Sequence, residues 1–360
     1  MALRKSKKNK SAIREWVEAL LFAFIVVMLI RLLAFDFYTV PTSSMENAVL
    51  TGDFVILNKM AYGPRLPFTP LAIPFTHQYL SHEKNIKAYS SSINLAYWRL
   101  WGYTSISRND VLVFNYPIEK KHPIDQRSHY VKRCIGMPGD TIRIINRSVF
   151  INGAKADELA TSKHNIEIKT DKEIPDEIFT ELEIYEGGRV GTEKYTYQLT
   201  ISEKELDILK KTHPIKSVKA TAYTANNPNE VLQHAVNNKH NWTRDFFGPL
   251  LIPKKGDSIW LYDTNIYWYL PHIIEFEKNN FETIDTKFYL NNKEIEHYTF
   301  PMDYYFVMGD NRHNSADSRF WGFVPEDHIL GKASMVLFSL NRNENGFKKW
   351  RWRRTFNPIK

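Results

Sequence analysis

The segment Tyr130-Val-Lys-Arg-Cys-Ile-Gly-Met-Pro-Gly-Asp140, running on into Thr141-Ile-Arg-Ile-Ile145, reads as two short strands separated by a Pro-Gly turn. Alternation puts Tyr130, Lys132 and Cys134 on one face of the first strand and Val131, Arg133 and Ile135 on the other. Similar runs recur at Phe54–Asn58, Asp110–Phe114, Ser148–Ile151, Asp257–Tyr262, Tyr304–Met308 and Ala333–Leu340. Each is rich in Val, Ile, Phe or Tyr and bounded by Gly, Pro, Asn or Asp, which predicts a mainly β fold of antiparallel sheets. Helix signals are few. Ser202-x-x-Glu205 is a capping box that opens a helix ending near Pro214.

Working outward, the chain has 360 residues, of which 43% are apolar and 24% charged, as in an ordinary folded protein with ample core. A single cysteine excludes an intramolecular disulfide and any thiolate-rich metal site. The net charge of +8 looks like a nucleic-acid signal until it is located. Residues 1–14 carry six basic groups and no acid, and residues 341–360 carry seven basic groups and one acid. The ends supply +12, so the remaining body is −4 and offers no basic face to nucleic acid.

From Trp16 to Phe35 only Glu18 and Arg31 interrupt an apolar run. Twenty helical residues span about 30 Å, the thickness of a bilayer's hydrocarbon core. No small-x-small cleavage pattern follows, so an uncleaved anchor is expected in preference to a secretory leader. Basic residues precede the span, and after Arg31 the next is Lys59, so the positive-inside rule places the tail in the cytoplasm. The expected organisation is a basic cytoplasmic tail (1–14), a transmembrane helix (15–36), and a β-rich body (37–154 and 256–360). That body is interrupted by an inserted mixed α/β region (155–255) with an Asn- and His-rich loop at 232–247. Residues 61–107 form an aromatic, Pro-containing connection with no assigned structure.

Three segments carry chemistry: Val40–Asp53 just after the span, Tyr130–Asp140, and Met308–Pro325. Lys132 projects from its strand beside an aromatic ring and a small thiol, where desolvation lowers an amine's pKa. From a reference near 10.4, about one lysine in 2,500 is neutral at pH 7, a deficit of roughly 4.6 kcal/mol. Burial supplies shifts of several units, and a neutral amine can take the proton from a serine hydroxyl.

Together the anchor, the three segments in this order and the strand Arg108–Pro117 resemble bacterial signal peptidase I, the leader peptidases. Gly309-Asp-Asn-Arg-x-Asn-Ser-x-Asp-Ser-Arg319 is the most specific part of that resemblance. It implies a membrane-anchored serine endopeptidase of signal-peptidase-like β fold that cleaves signal peptides after small residues at −1 and −3. Ser44 matches the nucleophile and Lys132 the general base, while Thr42 and the Ser44 N–H match the oxyanion hole. Ser315 matches a serine that orients the lysine, Met45 a substrate-binding residue, and Tyr130, Arg133, Asp310, Asp317 and Arg319 supporting residues. Implied partners are signal-peptide-bearing preproteins in the bacterial cytoplasmic (inner) membrane, the lipid itself and the neighbouring export machinery. The dyad chemistry requires no metal or organic cofactor.

Two departures stand out: Asn47-Ala48-Val49 replaces the usual Pro-Thr-Leu, and His313, expected to face solvent, replaces an acidic residue. Other classes fit less well. His122, His129 and His313 suggest a Ser-His-Asp hydrolase, but no G-x-S-x-G surrounds any serine. His122, Asp125 and His129 match no common metal-ligand spacing and read as a polar loop. A self-cleaving DNA-binding repressor would need a helix-turn-helix where the apolar span lies, and a fold kept only for binding would not need Ser44 and Lys132. The basic, Trp-containing end Phe347–Arg354 suits either a membrane interface or an edge strand protected by charge.

Overall fold

A computed structural model describes residues 12–359, apart from 47, 82, 158, 160, 192–193, 233–236, 238, 278–280, 285–286, 342–343 and 345. Most of the basic tail, Asn47 and part of the Asn- and His-rich loop therefore lie outside the described residues. The fold is mainly antiparallel β with few helices.

The apolar segment is a helix, Ala12–Leu33, and among the described residues it alone is long and apolar enough to cross a membrane. The sequence reading ran the span to residue 36, but Phe35–Thr39 is already a strand, paired with Asp53–Asn58. Asp36 explains the early end. Arg31 (2.8 Å) and Lys59 (3.3 Å) converge on its carboxylate, tying the last helical turn to the first two strands.

The main sheet has eight strands. In spatial order they are Phe35–Thr39, Asp53–Asn58, Ile329–Ser339, Val111–Asn115, His129–Gly136, Tyr304–Met308 and Val324–Pro325, with Asn357–Pro358 also on Ile329–Ser339. Central Val111–Asn115 is buried along its whole length, whereas Asp53–Asn58 alternates. Two apolar cores lie against this sheet, one built on Val55, Leu57, Val111 and Val113, the other on Leu112, Phe114, Cys134 and Val307. The predicted strands Thr141–Ile145, Ser148–Ile151 and Tyr304–Met308 are found with those bounds.

A second sheet joins Thr141–Ile145 to Ser148–Ile151, Ala154–Lys155 and Phe247–Leu251. The last of these falls within the stretch read as insertion, yet it pairs with Thr141–Ile144 and buries Phe247 and Leu250 against Ile142 and Ile144. Its Gly248-Pro249 interrupts the alternation that would have revealed it.

The rest of the insertion has its own sheet, ordered Gly187–Arg189, Thr196–Ile201, His164–Thr170, Ile215–Ala220, and its own core around Ile168, Leu199, Ile201 and Leu209. The helix Glu203–Thr212 begins at the expected capping box: Glu205 N–H donates to Ser202 Oγ (3.3 Å) and Ser202 N–H to Glu205 Oε2 (2.7 Å).

Lys163 docks this unit onto the body. It is fully buried, with Nζ 3.5 Å from Glu46 Oε2 and 3.4 Å from Glu205 Oε1. Its backbone N–H donates to Asp310 O and its carbonyl accepts from Arg312 N–H. Burial pushes the Glu46 carboxyl up to about 7, with Lys163 opposing and the like charges of Glu186 and Glu205 adding to the rise. Removing one partner from a buried ionic group leaves an uncompensated charge, typically costing about 3–5 kcal/mol. Lys163→Met should therefore lower the denaturation midpoint markedly, and Glu46→Gln added to it should restore part of the loss. A midpoint unchanged in the single variant would show that this junction does not hold the insertion in place.

Candidate active site

Ser44 lies on the loop joining Phe35–Thr39 to Asp53–Asn58. Val40 and Asp53 (2.9 Å) and Gly52 and Val40 (3.0 Å) close its base by backbone hydrogen bonds. Val40, Met45 and Val49 peg it into the core beside Val55 and Val113. Asp53 Oδ2 accepts from Leu50 N–H (2.8 Å) and pairs with Arg354 at 2.7 Å, so the basic C-terminal segment braces the same loop. Its exposed indoles, Trp350 and Trp352, stack on each other at 5.4 Å.

Lys132 sits in His129–Gly136, and its Nζ–H donates to Ser44 Oγ. The amine is 4% exposed and lies 5.9 Å from the ring centre of Tyr130, which in turn stacks on Tyr116. Burial pulls its pKa from 10.5 down to about 8, against the opposing fields of Asp317 and Asp310 and with help from Arg319. About one-tenth of such amines are neutral at pH 7, so the deficit falls to roughly 1.4 kcal/mol.

The third segment wraps this pair. Gly309 leaves no room for a side chain: a Cβ there would lie 2.4 Å from Ser44 O and 2.3 Å from Ser315 Oγ. Asn311 N–H donates to Ser44 O at 3.2 Å. Arg133 grips Asp310 through two 2.7 Å hydrogen bonds, and Arg319 grips Asp317 through bonds of 2.9 and 2.8 Å, all four side chains being buried. Burial alone would raise the Asp317 carboxyl, but Arg319 and the Gly309 N–H hold it below its ordinary value.

A cavity of about 440 Å³ opens beside Ser44, lined by Tyr38–Met45, Val113, His129–Lys132, Asn314 and Ala316. Thr42 and Tyr130 face it, while Met45 lines it from within the core. Ser315 does not meet its expectation of a bond to Lys132: its buried hydroxyl packs over Gly309 and helps instead to hold the Asp317 carboxyl down. His313, expected at the surface, is buried; its Nδ1 accepts from Asn165 N–H (2.9 Å) and its Nε2 meets Asp245 Oδ1 (2.9 Å). The insertion covers that position, and an insertion-borne partner cannot be read from the motif itself. His122 and Asp125 are engaged with Tyr89 and Thr69. Sequence reasoning gave no role to Glu186, Asn311, Asn314, Glu46 or Lys163, although both asparagines stand inside the quoted motif.

Residues 13–338 match the family described as signal peptidase, peptidase S26. Proteins named signal peptidase I are similar along most of the chain. That of Buchnera aphidicola (subspecies Acyrthosiphon pisum) is 24% identical over 94% of this chain and 79% of its own length. That of Aquifex aeolicus is 24% identical over 91% and 84%, and that of Haemophilus influenzae 25% over 96% and 76%. The chain belongs to the S26 signal peptidase family, and it is a hydrolase of peptide bonds that processes signal peptides.

A Lys132 buried neutral should titrate near pH 8. The cost of charging it is present in full below about 8 and disappears as pH rises toward 10.5, where the unfolded chain also loses its proton. NMR of the labelled lysine Nζ would show this midpoint directly. A midpoint at or above 10 would show that burial does not depress this amine.

Proposed function

We propose that the chain cleaves preproteins with a Ser44/Lys132 dyad while anchored in the bacterial cytoplasmic membrane by Ala12–Leu33, its tail inside and its β body outside. The observation that carries this reading is the contact of a buried, depressed-pKa amine with a serine hydroxyl at the floor of an open cavity. Neutral Lys132 takes the Ser44 proton as Oγ attacks the scissile carbonyl carbon. The developing oxyanion is held by the Ser44 N–H and the Thr42 hydroxyl. When the tetrahedral intermediate collapses, the C–N bond breaks and the Lys132 ammonium protonates the leaving amine. Water, deprotonated by the same lysine, then hydrolyses the Ser44 ester.

Substrate placement follows from strand edges. His129–Lys132 pair with Val111–Asn115 on one side, whereas pairing with Tyr304–Met308 on the other begins only at Arg133. The free edge faces Pro41–Ser43 across the cavity, a slot for an extended peptide bonded through its main chain. Val113, Val131, Met45 and Ala316 give it apolar walls, which supports small residues at −1 and −3. Preproteins arriving through the bilayer are the partners this arrangement suits, with the export machinery nearby.

Ser44→Ala and Lys132→Met should each abolish cleavage of a lipid-embedded preprotein carrying an Ala-x-Ala site, with folding intact. Wild-type kcat/KM should rise with pH through about 8, because the neutral amine is the active form. Substantial cleavage by either folded variant, or a pH-independent rate between 6 and 10, would falsify the dyad.

A further inference from the structure

The insertion sends one carboxylate into the active site. Glu186 precedes the strand Gly187–Arg189, and its carbonyl accepts from Thr200 N–H (3.1 Å), so its backbone is fixed to the insertion's own sheet. Its side chain reaches across to two loops of the body. Oε1 accepts from the Ser43 hydroxyl and from Asn314 Nδ2 (2.7 Å), and Oε2 accepts from Asn311 Nδ2 (2.7 Å).

These three donors are not ordinary docking contacts. Ser43 is bonded to Ser44 through the peptide whose N–H is the proposed oxyanion donor. Asn311 holds the Ser44 carbonyl through its own N–H, and Ser43 and Asn314 line the substrate cavity. The insertion is already docked through buried Lys163 and through His313 and Asp245, so Glu186 is not needed merely to attach it. An ionised carboxylate satisfied by three donors makes charge-assisted bonds stronger than neutral ones.

We propose that Glu186 is a positioning residue for Ser44: it clamps Ser43 to Asn311 and Asn314 and so fixes the Ser43–Ser44 peptide for oxyanion stabilisation. This rests on the dyad reading above. Losing an oxyanion donor altogether lowers kcat about 10²–10³-fold, and a displacement near 1 Å about 10²-fold. A loosened Ser43 should lie at or somewhat below the latter.

The test uses the full chain in proteoliposomes, with rates expressed per folded molecule. Glu186→Ala and Ser43→Ala should each lower kcat about tenfold or more with KM within about threefold. The double variant should be no slower than the slower single, because both remove one clamp. Glu186→Gln, which keeps an acceptor oxygen, should recover part of the rate. A fall of less than about fivefold in Glu186→Ala, singles whose effects multiply, or a loss that only tracks the folded fraction would overturn the proposal. Ser44→Ala is run alongside. Residual activity in that variant would defeat the dyad reading itself, whereas an inactive Ser44→Ala beside a fully active Glu186→Ala would defeat only the role of Glu186.

Discussion

Everything at this site depends on keeping one amine out of water without giving it a counterion. Lys132 lies among carboxylates that would restore its charge: Asp310 and Asp317 both act on it from the neighbouring loop. At an effective dielectric of 20, an unpaired carboxylate 4 Å away stabilises an ammonium by about 4 kcal/mol, enough to erase a shift of nearly three pKa units. The structure prevents this by pairing each acid elsewhere. Arg133 takes Asp310 in a two-point grip and Arg319 takes Asp317 in another, so each pair presents little net charge to the lysine. The two arginines thus permit the depressed pKa, although neither touches the serine.

The same constraint shapes the loops. Ser44 stands on the loop between the first two strands and Lys132 on a strand farther along the sheet order, and the Gly309–Arg319 segment packs over Ser44 beside them. It does so by approaching closer than any side chain at 309 would allow. Such close packing needs support from behind, which the insertion provides through Lys163 at Asp310 and Arg312 and through Asp245 at His313. The insertion therefore acts as an outer buttress for the loop that carries Ser315, Asp317 and Arg319.

What could be read from residues alone follows the range of the interactions involved. Strands rich in β-branched or aromatic residues, such as Thr141–Ile145 and Tyr304–Met308, announce themselves locally, as does the capping box at Ser202. Phe247–Leu251 did not, because its Gly-Pro pair breaks the period and its partner lies a hundred residues earlier. The site divides in the same way. Ser44, Lys132 and the two Asp–Arg pairs stand in recognisable segments, but the burial of His313 and the reach of Glu186 depend on where a polar insertion docks. No periodicity or motif in 155–255 encodes that contact, since a single Glu before two glycines looks like any solvated turn.

Under the proposed anchoring, the helix gives the site a height as well as a chemistry. Helix Ala12–Leu33 passes almost directly into strand Phe35–Thr39, with Asp36 clamped by Arg31 and Lys59, so one residue separates the helix from the first strand of the body. Eight residues lead from Asp36 to Ser44, at most about 28 Å of extended chain. Under the proposed anchoring, Ser44 can stand no farther than this above the end of the span. A substrate whose own apolar segment lies in the same bilayer meets the same limit, because its extended main chain rises at the same rate per residue. Under the proposed function the scissile bond would be selected on two independent grounds: small side chains that suit a cavity lined by Val131 and Met45, and a short distance from the hydrocarbon. Neither suffices alone, since small residues are common along any polypeptide and only those near the membrane come within reach of Ser44.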